Sequence, residues 1–246
     1  MSPLLQAAIR VLPDAEAVAG EAARLIGDHL AAEPAAVLGL ATGRTPLGIY
    51  RRLAARHAAG GLSFARATSF NLDEYRGLGP DHPASFAAYM RRELFGRVDL
   101  PASRAHVPPG LGDAAEAAAR YEAQIAAAGG IGLQLLGIGR NGHIGFNEPG
   151  APFDSRTREV VLDESTREAN APDFPPGTEV PARALTMGIG TILEARRILL
   201  VATGAAKAEA LRRAFRAPPD TACPASALTA HPDLTLVCDR AAAALL

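Results

Sequence analysis

The chain has 246 residues, and its 25 Lys and Arg residues nearly balance 26 Asp and Glu residues, giving a formal net charge of −1. This charge, an aromatic content of 5% and the absence of tryptophan do not favour binding to nucleic acid or to an anionic membrane. The hydrophobic fraction of 48% is sufficient for one large core, so a single domain over residues 1–246 is expected.

The first half of the chain predicts helices that alternate with strands. Asp14 suits the N-cap of a helix running to about Leu30, and the apolar run 36–40 predicts a buried strand. Thr45 is expected to cap the next helix, with Pro46 in its first turn. The elements predicted after it are a strand and two helices, over residues 67–72, 85–94 and 114–127.

The second half continues the alternation with a strand over 133–138, but one later segment differs. Residues 150–183 are rich in proline and charge, which is consistent with a solvated connection or with a lid over a binding site. The elements predicted beyond it are a helix, a strand, a helix and a last strand, over residues 184–196, 198–202, 205–215 and 234–238. This alternation predicts an α/β fold, a modified doubly wound and mostly parallel sheet with helices on both faces.

The loop after the first of these predicted strands has the composition of a phosphate-binding loop. Gly43 permits close approach of the backbone, and Thr42 and Thr45 carry hydroxyl groups. The following helix offers free N–H groups at its positive end, and Arg44 adds a cationic side chain. An ordinary capped turn uses the same residue types, so both interpretations stay open on this segment alone.

Two adjacent carboxylates, Asp73 and Glu74, follow the strand predicted over 67–72. Neighbouring acids shift each other's pKa, which suits the abstraction of a proton beside a carbonyl group. The alternative is that the two acids cap the next turn, which is the commoner role of an isolated Asp-Glu pair.

The segment 137–150 contains a formal G-x-G-x-x-G pattern after a strand, with Asp163 at the distance expected in a dinucleotide site. Glycine residues and Pro149 break the helix that such a site requires, so the dinucleotide interpretation is rejected. The segment instead presents His143 and Glu148 in a glycine-rich loop. A carboxylate that orients an imidazole is a common acid–base arrangement, and the pattern therefore favours a catalytic pair.

The sequence shows no catalytic-serine pattern and no metal-ligand spacing, and Cys223 and Cys238 are expected to be reduced thiols. Lys207 opens a predicted helix and is a second candidate for phosphate binding, although a solvated lysine is the commoner outcome. The stretch from Met1 to Arg10 lacks the features of a signal peptide, and a cytoplasmic location is the default expectation.

Three blocks, 39–46, 70–78 and 137–150, resemble the glucosamine-6-phosphate deaminase family, and weaker matches extend the resemblance over most of the chain. The resemblance implies a modified doubly wound fold and the conversion of glucosamine 6-phosphate and water to fructose 6-phosphate and ammonia, with no cofactor and no metal. The partner that it implies is a small phosphosugar, bound by a monomer or a homo-oligomer. The gluco or galacto configuration of the amino sugar stays open.

The resemblance implies a role for each candidate residue that matches a functional position of the family. His143, oriented by Glu148, would open the sugar ring, and Asp73 would then move a proton from C2 to C1. Water would hydrolyse the resulting imine, and the segment 150–183 would correspond to the lid of the family. The residues implied in phosphate binding come from two loops and are Thr42, Gly43, Thr45 and Lys207.

Several positions depart from the pattern of the family. Asn141 stands where some members have an acid beside the catalytic imidazole, and we expect a milder electrostatic effect there. Pro172 stands where members often have a phosphate-binding arginine, and Arg44 is expected to supply the missing charge. Ala151 and Val160 replace residues of an allosteric site, which predicts no activation by N-acetylglucosamine 6-phosphate.

Two other functions are compatible with the same fold class. The related 6-phosphogluconolactonases share the phosphate loop and hydrolyse an ester, but the blocks 71–75 and 146–149 of this chain resemble the deaminases. A non-catalytic domain that senses a sugar phosphate is the third interpretation, and no helix-turn-helix or basic flank supports it.

Overall fold

A computed structural model describes residues 8–246, so residues 1–7 of the N-terminal stretch discussed above lie outside the described residues. The strands within this range are β1 (Ala8–Leu12), β2 (Val37–Leu40), β3 (Thr68–Asn71), β4 (Asp73–Tyr75), β5 (Ala105–His106), β6 (Leu133–Gly137), β7 (Arg158–Val161), β8 (Arg183–Thr186), β9 (Arg197–Ala202) and β10 (Leu234–Asp239). The α-helices are α1 (Ala15–Ala32), α2 (Arg44–Ala58), α3 (Phe86–Glu93), α4 (Ala114–Ala127), α5 (Glu164–Asn170), α6 (Ile189–Leu193) and α7 (Ala208–Arg216).

Seven strands form one parallel sheet in the order β1-β10-β9-β6-β2-β3-β5. Its central strands are short and almost entirely buried, as expected for a parallel sheet covered on both faces. The α/β fold with a mostly parallel sheet, predicted from the alternation of elements, is confirmed.

Helices cover both faces of this sheet because alternate strand residues point to opposite sides. Leu133 and Leu135 of β6 pack in the same cluster as buried residues of α1, α2 and α3. Leu136, one residue further, packs with residues of α4, α6 and α7 on the other face. Hydrophobic layers therefore pack against both faces of the sheet and fix the positions at which the strands end.

The strand order reverses between β2 and β6, which are neighbours in the sheet. The chain moves from β2 through β3 to β5 at one side, and then crosses by way of α4 to β6 on the other side of β2. In open α/β sheets this kind of switch leaves a crevice beyond the carboxyl ends of the two strands, where ligands bind. The segment after β2 carries the candidate residues Thr42, Arg44 and Thr45. The loop after β6 carries Asn141 and His143.

A second, antiparallel sheet has the order β4-β8-β7 and pairs Asp73 with Thr186, and Thr186 with Arg158. The helix predicted over 184–196 is therefore wrong in its first part, where β8 forms, and only α6 is helical. The apolar residues near 184 have helical spacing, but pairing with two distant strands determines the local structure.

Helix ends agree only in part with the sequence-based predictions. Asp14 caps α1 as predicted, since its Oδ1 accepts a hydrogen bond from Ala17 N at 2.8 Å. Thr45, in contrast, lies inside the first turn of α2, and Gly43 occupies the N-cap with φ 103°, so the predicted Thr45 cap is wrong. Among residues 8–246 no side chain caps α2, and its first N–H groups stay available to a ligand.

Candidate active site

A cavity of about 540 Å³ opens at the carboxyl ends of β2, β3 and β6. Eight of the nine residues proposed from the sequence line it, and the ninth, Glu148, lies behind His143. The eight are Thr42, Gly43, Arg44, Thr45, Asp73, Asn141, His143 and Lys207. Residues far apart in the chain therefore meet at the crevice that the strand order creates.

The loop after β2 is held from behind by two tyrosines. The Tyr50 hydroxyl donates to Ala41 O at 2.5 Å, and the Tyr89 hydroxyl donates to Gly43 O at 2.6 Å. Because these contacts engage the carbonyl oxygens, the N–H groups at the start of α2 and the Thr42 hydroxyl remain for a ligand in the cavity. This arrangement suits an anion such as a phosphate group.

Asp73 lies on the floor of the cavity, with only 6% of its surface exposed. Burial, together with the charge of neighbouring Glu74, raises the pKa of Asp73 to about 8. A carboxyl group with such a pKa binds and releases a proton near neutral pH, which is the property required of a general acid–base group.

Glu74 points away from the cavity and joins β4 to the start of α3. Its carboxylate accepts hydrogen bonds from the backbone N–H groups of Tyr75, Phe86 and Ala87 at 2.8–2.9 Å. Burial raises the pKa of Glu74 to about 7, although these hydrogen bonds act in the opposite direction. The capping role considered for both acids is therefore observed for Glu74 alone.

His143, Glu148 and Asn141 form a closed set of hydrogen bonds. The Nδ1 atom of His143 lies 3.2 Å from Glu148 Oε2, and Asn141 Nδ2 donates to the same oxygen at 2.7 Å. The oxygen of the Asn141 side chain accepts from His143 N at 3.1 Å. Because a carboxylate only accepts, Nδ1 carries the shared proton and Nε2 is left to meet a ligand.

The amide of Asn141 suits this arrangement better than a carboxylate would. It donates to Glu148 and accepts from the backbone of His143, whereas an ionised acid could not donate. Burial alone would raise the pKa of Glu148, but hydrogen bonds from His143, Thr166 and Asn141 and the charge of His143 hold it below its ordinary value. Glu148 therefore stays ionised and orients the imidazole.

Glycine at position 139 leaves room for the imidazole ring. A Cβ atom added to Gly139 would lie 2.4 Å from the Cε1 and Nε2 atoms of His143. The turn is closed by a hydrogen bond from Gly139 N to His143 O at 2.8 Å. The glycines of this loop thus place the imidazole and do not form a dinucleotide site.

The segment 150–183 forms the opposite wall through the residues of α5 and the turn that follows it. Thr166 donates a hydrogen bond to Glu148 Oε1, and Asn170 Nδ2 donates to the Tyr75 hydroxyl at 2.9 Å. Arg44 faces Asp173 across the mouth, with 3.9 Å between Nη2 and Oδ1. These contacts were not predicted, because no local sequence signal indicates which side chains of the segment turn inward.

Lys207 and Arg140 complete the cavity on the side of β9 and β6. Burial, together with the nearby guanidinium group of Arg140, lowers the pKa of Lys207. Sequence reasoning selected Lys207 but passed over Arg140, although Arg140 lies inside the glycine-rich block.

The described residues contain neither a cluster of metal-ligating side chains nor a membrane-spanning helix. Within residues 8–246, no three His, Cys, Asp or Glu side chains lie close enough together to hold a metal ion. Over the same residues, no helix has the length and apolar character needed to cross a bilayer. Cys223 and Cys238 are both buried, and neither forms a disulfide within residues 8–246.

The sequence matches the family described as glucosamine-6-phosphate isomerases/6-phosphogluconolactonase over residues 13–237. It is 56% identical over 239 residues to a glucosamine-6-phosphate deaminase of Rhodopirellula baltica, covering 97% of this chain and 95% of the relative. It is also 51% identical over 225 residues to glucosamine-6-phosphate deaminase 1 of Bacillus subtilis, covering 91% of this chain and 93% of that protein.

Solved structures give the same picture at two levels of similarity. A monomeric glucosamine-6-phosphate deaminase superimposes with a TM-score of 0.94 at 48% identity, covering 97% of this chain and all of that one (100%). A 6-phosphogluconolactonase from Trypanosoma cruzi superimposes with a TM-score of 0.77 at 21% identity, covering 98% of this chain and 97% of that one. The second similarity extends to the fold alone.

Proposed function

Since this chain belongs to the family of glucosamine-6-phosphate isomerases and 6-phosphogluconolactonases, we propose that it is a glucosamine-6-phosphate deaminase. The reaction is an aldose–ketose isomerisation coupled to the loss of ammonia, so the general term hydrolase describes it poorly. The observation that carries the proposal is the juxtaposition of a buried carboxyl group, Asp73, with an oriented imidazole, His143, in one cavity.

In the proposed mechanism His143 acts first. Its Nε2 atom relays a proton between the ring oxygen and the hydroxyl group at C1, which converts the closed sugar into the open aldehyde. Glu148 is a positioning residue in this step, since it accepts the Nδ1–H hydrogen bond and fixes the tautomer. Asn141 forms hydrogen bonds with both residues and so keeps Glu148 and His143 in their relative positions.

Asp73 then acts as the base. Its carboxylate removes the proton from C2 and returns it to C1, while a proton of the ammonium group passes to the C1 oxygen. The aldehyde thereby becomes a CH2OH group next to a C2 iminium, which water hydrolyses to the ketone and ammonia. The pKa of Asp73 is about 8 in the unliganded protein because of burial and of Glu74. An amino sugar that brings a positive ammonium group to the cavity would favour the ionised, basic form.

The phosphate group is proposed to lie at the start of α2. The hydroxyl groups of Thr42 and Thr45, the backbone of Gly43 and Arg44, and the ammonium group of Lys207 all line that part of the cavity. Interactions with this non-reacting group would position C1 and C2 against the acid–base residues. The segment 150–183 is proposed to act as a lid, since it supplies one wall through a few polar contacts.

Two further features of the proposal concern the whole protein. A monomer is proposed, in line with the monomeric deaminase that it resembles at 48% identity. A cytoplasmic location is proposed because a doubly charged phosphosugar does not cross a bilayer unaided.

The proposal is tested by measuring ammonia released from glucosamine 6-phosphate together with fructose 6-phosphate formed, in the parent protein and in Asp73→Asn. We expect both products in equal amounts from the parent, and both to form at least about 100-fold more slowly in the variant. Opening of 6-phosphogluconolactone without ammonia release from the amino sugar would instead assign the lactonase activity. Ammonia release from galactosamine 6-phosphate alone would change the assigned configuration of the substrate.

A further inference from the structure

The cations around the cavity are not equivalent. Arg44, Arg140 and Lys207 all line it, and the facing carboxylates are Asp73 on the floor and Asp173 at the mouth. Arg44 lies 3.9 Å from Asp173, and its side chain is 69% exposed. Its charge is therefore partly balanced by a carboxylate and strongly screened by water.

Arg140, which is also exposed, and Lys207, which is half-buried, differ from Arg44 in having no balancing carboxylate. Among residues 8–246, neither side chain forms an ion pair or a hydrogen bond with another residue. The two cations instead lie close enough for Arg140 to disfavour the charged form of Lys207. Two unbalanced positive charges at one wall of a cavity favour a ligand with two negative charges.

The sheet order explains why these cations surround one spot. Strands β9, β6 and β2 are consecutive neighbours, and the loops that follow them carry Lys207, Arg140 and the Thr42–Thr45 segment. Arg140 therefore projects from the middle loop, with Lys207 on one side and the open N-terminus of α2 on the other.

We propose that Arg140 is a specificity-determining residue that binds the phosphate group of the substrate together with Lys207. This inference rests on the proposed deaminase function and deepens it, because it identifies the second cation of the phosphate site. It differs from the sequence-based expectation that the Arg44 side chain supplies that charge. The guanidinium group offers two parallel N–H donors that match two phosphate oxygens.

This assignment links phosphate recognition to the catalytic loop. Arg140 lies inside the turn that the Gly139–His143 hydrogen bond closes, directly before Asn141. A phosphate held by Arg140 would therefore steady the turn that carries the imidazole. An amino sugar without phosphate would make no ionic contact with Arg140 and would not steady this turn.

The test compares Arg140→Gln and Arg140→Lys with Arg212→Gln, which removes an arginine that pairs with Glu209 on the surface of α7. Steady-state kinetics on glucosamine 6-phosphate are combined with calorimetric titration of inorganic phosphate. We expect Arg140→Gln to raise KM and the phosphate Kd by about 10- to 100-fold, with kcat changed by less than about threefold. For Arg140→Lys, KM and the phosphate Kd should lie between those of the parent and those of Arg140→Gln. For Arg212→Gln, both values should match the parent.

Each alternative result has a distinct meaning. An unchanged KM and phosphate Kd in Arg140→Gln would overturn the inference, and so would a larger loss in Arg44→Gln. A fall in kcat with unchanged KM would also overturn it and make Arg140 a positioning residue of the loop. If the parent releases no ammonia, the deaminase proposal fails, whereas the phosphate titration still decides the role of Arg140.

Discussion

One wall of the cavity is mounted on the parallel sheet, whereas the opposite wall is formed by the segment 150–183. On the sheet side, His143 lies in a closed turn after β6. Asp73 follows Leu72, whose N–H donates to Leu40 O of β2, and it also pairs with Thr186 in the second sheet. On the other side, the cavity is reached by side-chain tips, such as the Thr166 hydroxyl and the Asn170 amide.

The apolar support of the two walls differs as well. The sheet wall rests on two large hydrophobic layers. The segment 150–183 adds Ala151 and Phe153 to one of them, and its other buried apolar residues, Leu162, Phe174 and Val180, join a small cluster with Tyr75 and Phe146. A wall with less buried apolar surface opens at a lower free-energy cost. The comparison teaches that the proposed acid–base groups are positioned mainly by the sheet side, and that the segment 150–183 acts on them through a few contacts such as Thr166–Glu148.

The largest effect is expected on the sheet wall, from Asp73→Asn. Loss of the proposed base should lower kcat by about 100- to 10,000-fold. The variant should also change how stability depends on pH. The pKa of Asp73 is about 8 when folded, because of burial and of Glu74, against about 3.9 when unfolded.

Its contribution to stability is therefore complete below about pH 4 and is lost as the pH rises through about 8. The free energy of unfolding, measured with urea, should therefore fall less between pH 5 and pH 8 in Asp73→Asn than in the parent. Asp81→Asn is the matched control, since the side chain of Asp81 is 85% exposed. A variant that keeps more than a tenth of the parent kcat would contradict the role of Asp73.

Gly139→Ala tests whether the sheet wall tolerates small displacements. The added methyl group would meet the His143 ring at 2.4 Å and must push it aside. We expect kcat to fall by about 100-fold, with a change in Tm of only a few degrees. Gly79→Ala serves as the control, because its Cβ would meet Leu111 Cδ1 at an ordinary 3.7 Å. Equal kcat in the two variants would show that His143 does not need its observed position.

Thr166→Val tests a contact that joins the two walls. Removing the hydroxyl takes one donor from Glu148, so the pKa of Glu148 should rise. We expect kcat to fall by about threefold to tenfold, and the acidic limb of the pH–rate profile to move to higher pH. Thr166→Ser keeps the donor and should restore the parent profile. A shift of the limb to lower pH would contradict the proposed role of this hydrogen bond.

The smallest effect is expected at the mouth, from Asp173→Asn. The Arg44–Asp173 pair is exposed and long, so it should contribute little to stability. Removal of the carboxylate should lower KM for the phosphosugar by up to about threefold at low salt and leave kcat unchanged. Asp28→Asn, in an exposed pair on α1, controls for the change in net charge. A rise in KM would show that Asp173 holds the segment 150–183 in its binding position.

Local signals account for the parts of the fold that could be predicted. Helix α4 spans Ala114–Ala127 as predicted, because Asp113 caps it and Tyr121 and Ile125 recur at helical spacing on its buried face. The polar loops after the strands could also be assigned to one ligand crevice, because the carboxyl ends of parallel strands share one edge.

Non-local contacts account for what could not be predicted. Strand β8 forms because β4 and β7 flank it, and these partners lie far away in sequence. The role of Glu74 depends on Phe86 and Ala87, twelve or thirteen residues later, approaching its carboxylate. Arg140 gives no signal by residue type, and only the strand order places it beside Lys207.

The pairing of β1 with β10 has a consequence for the order of events during synthesis. Ala8 lies opposite Thr235, so β1 finds its partner only after all the other strands of its sheet have been synthesised. At translation rates of about 5–20 residues per second, β1 waits on the order of tens of seconds while helix α1 and the inner strands form. This edge of the sheet can form only after β10 has left the ribosome, and until then the unpaired β1 is open to chaperones or to other nascent chains.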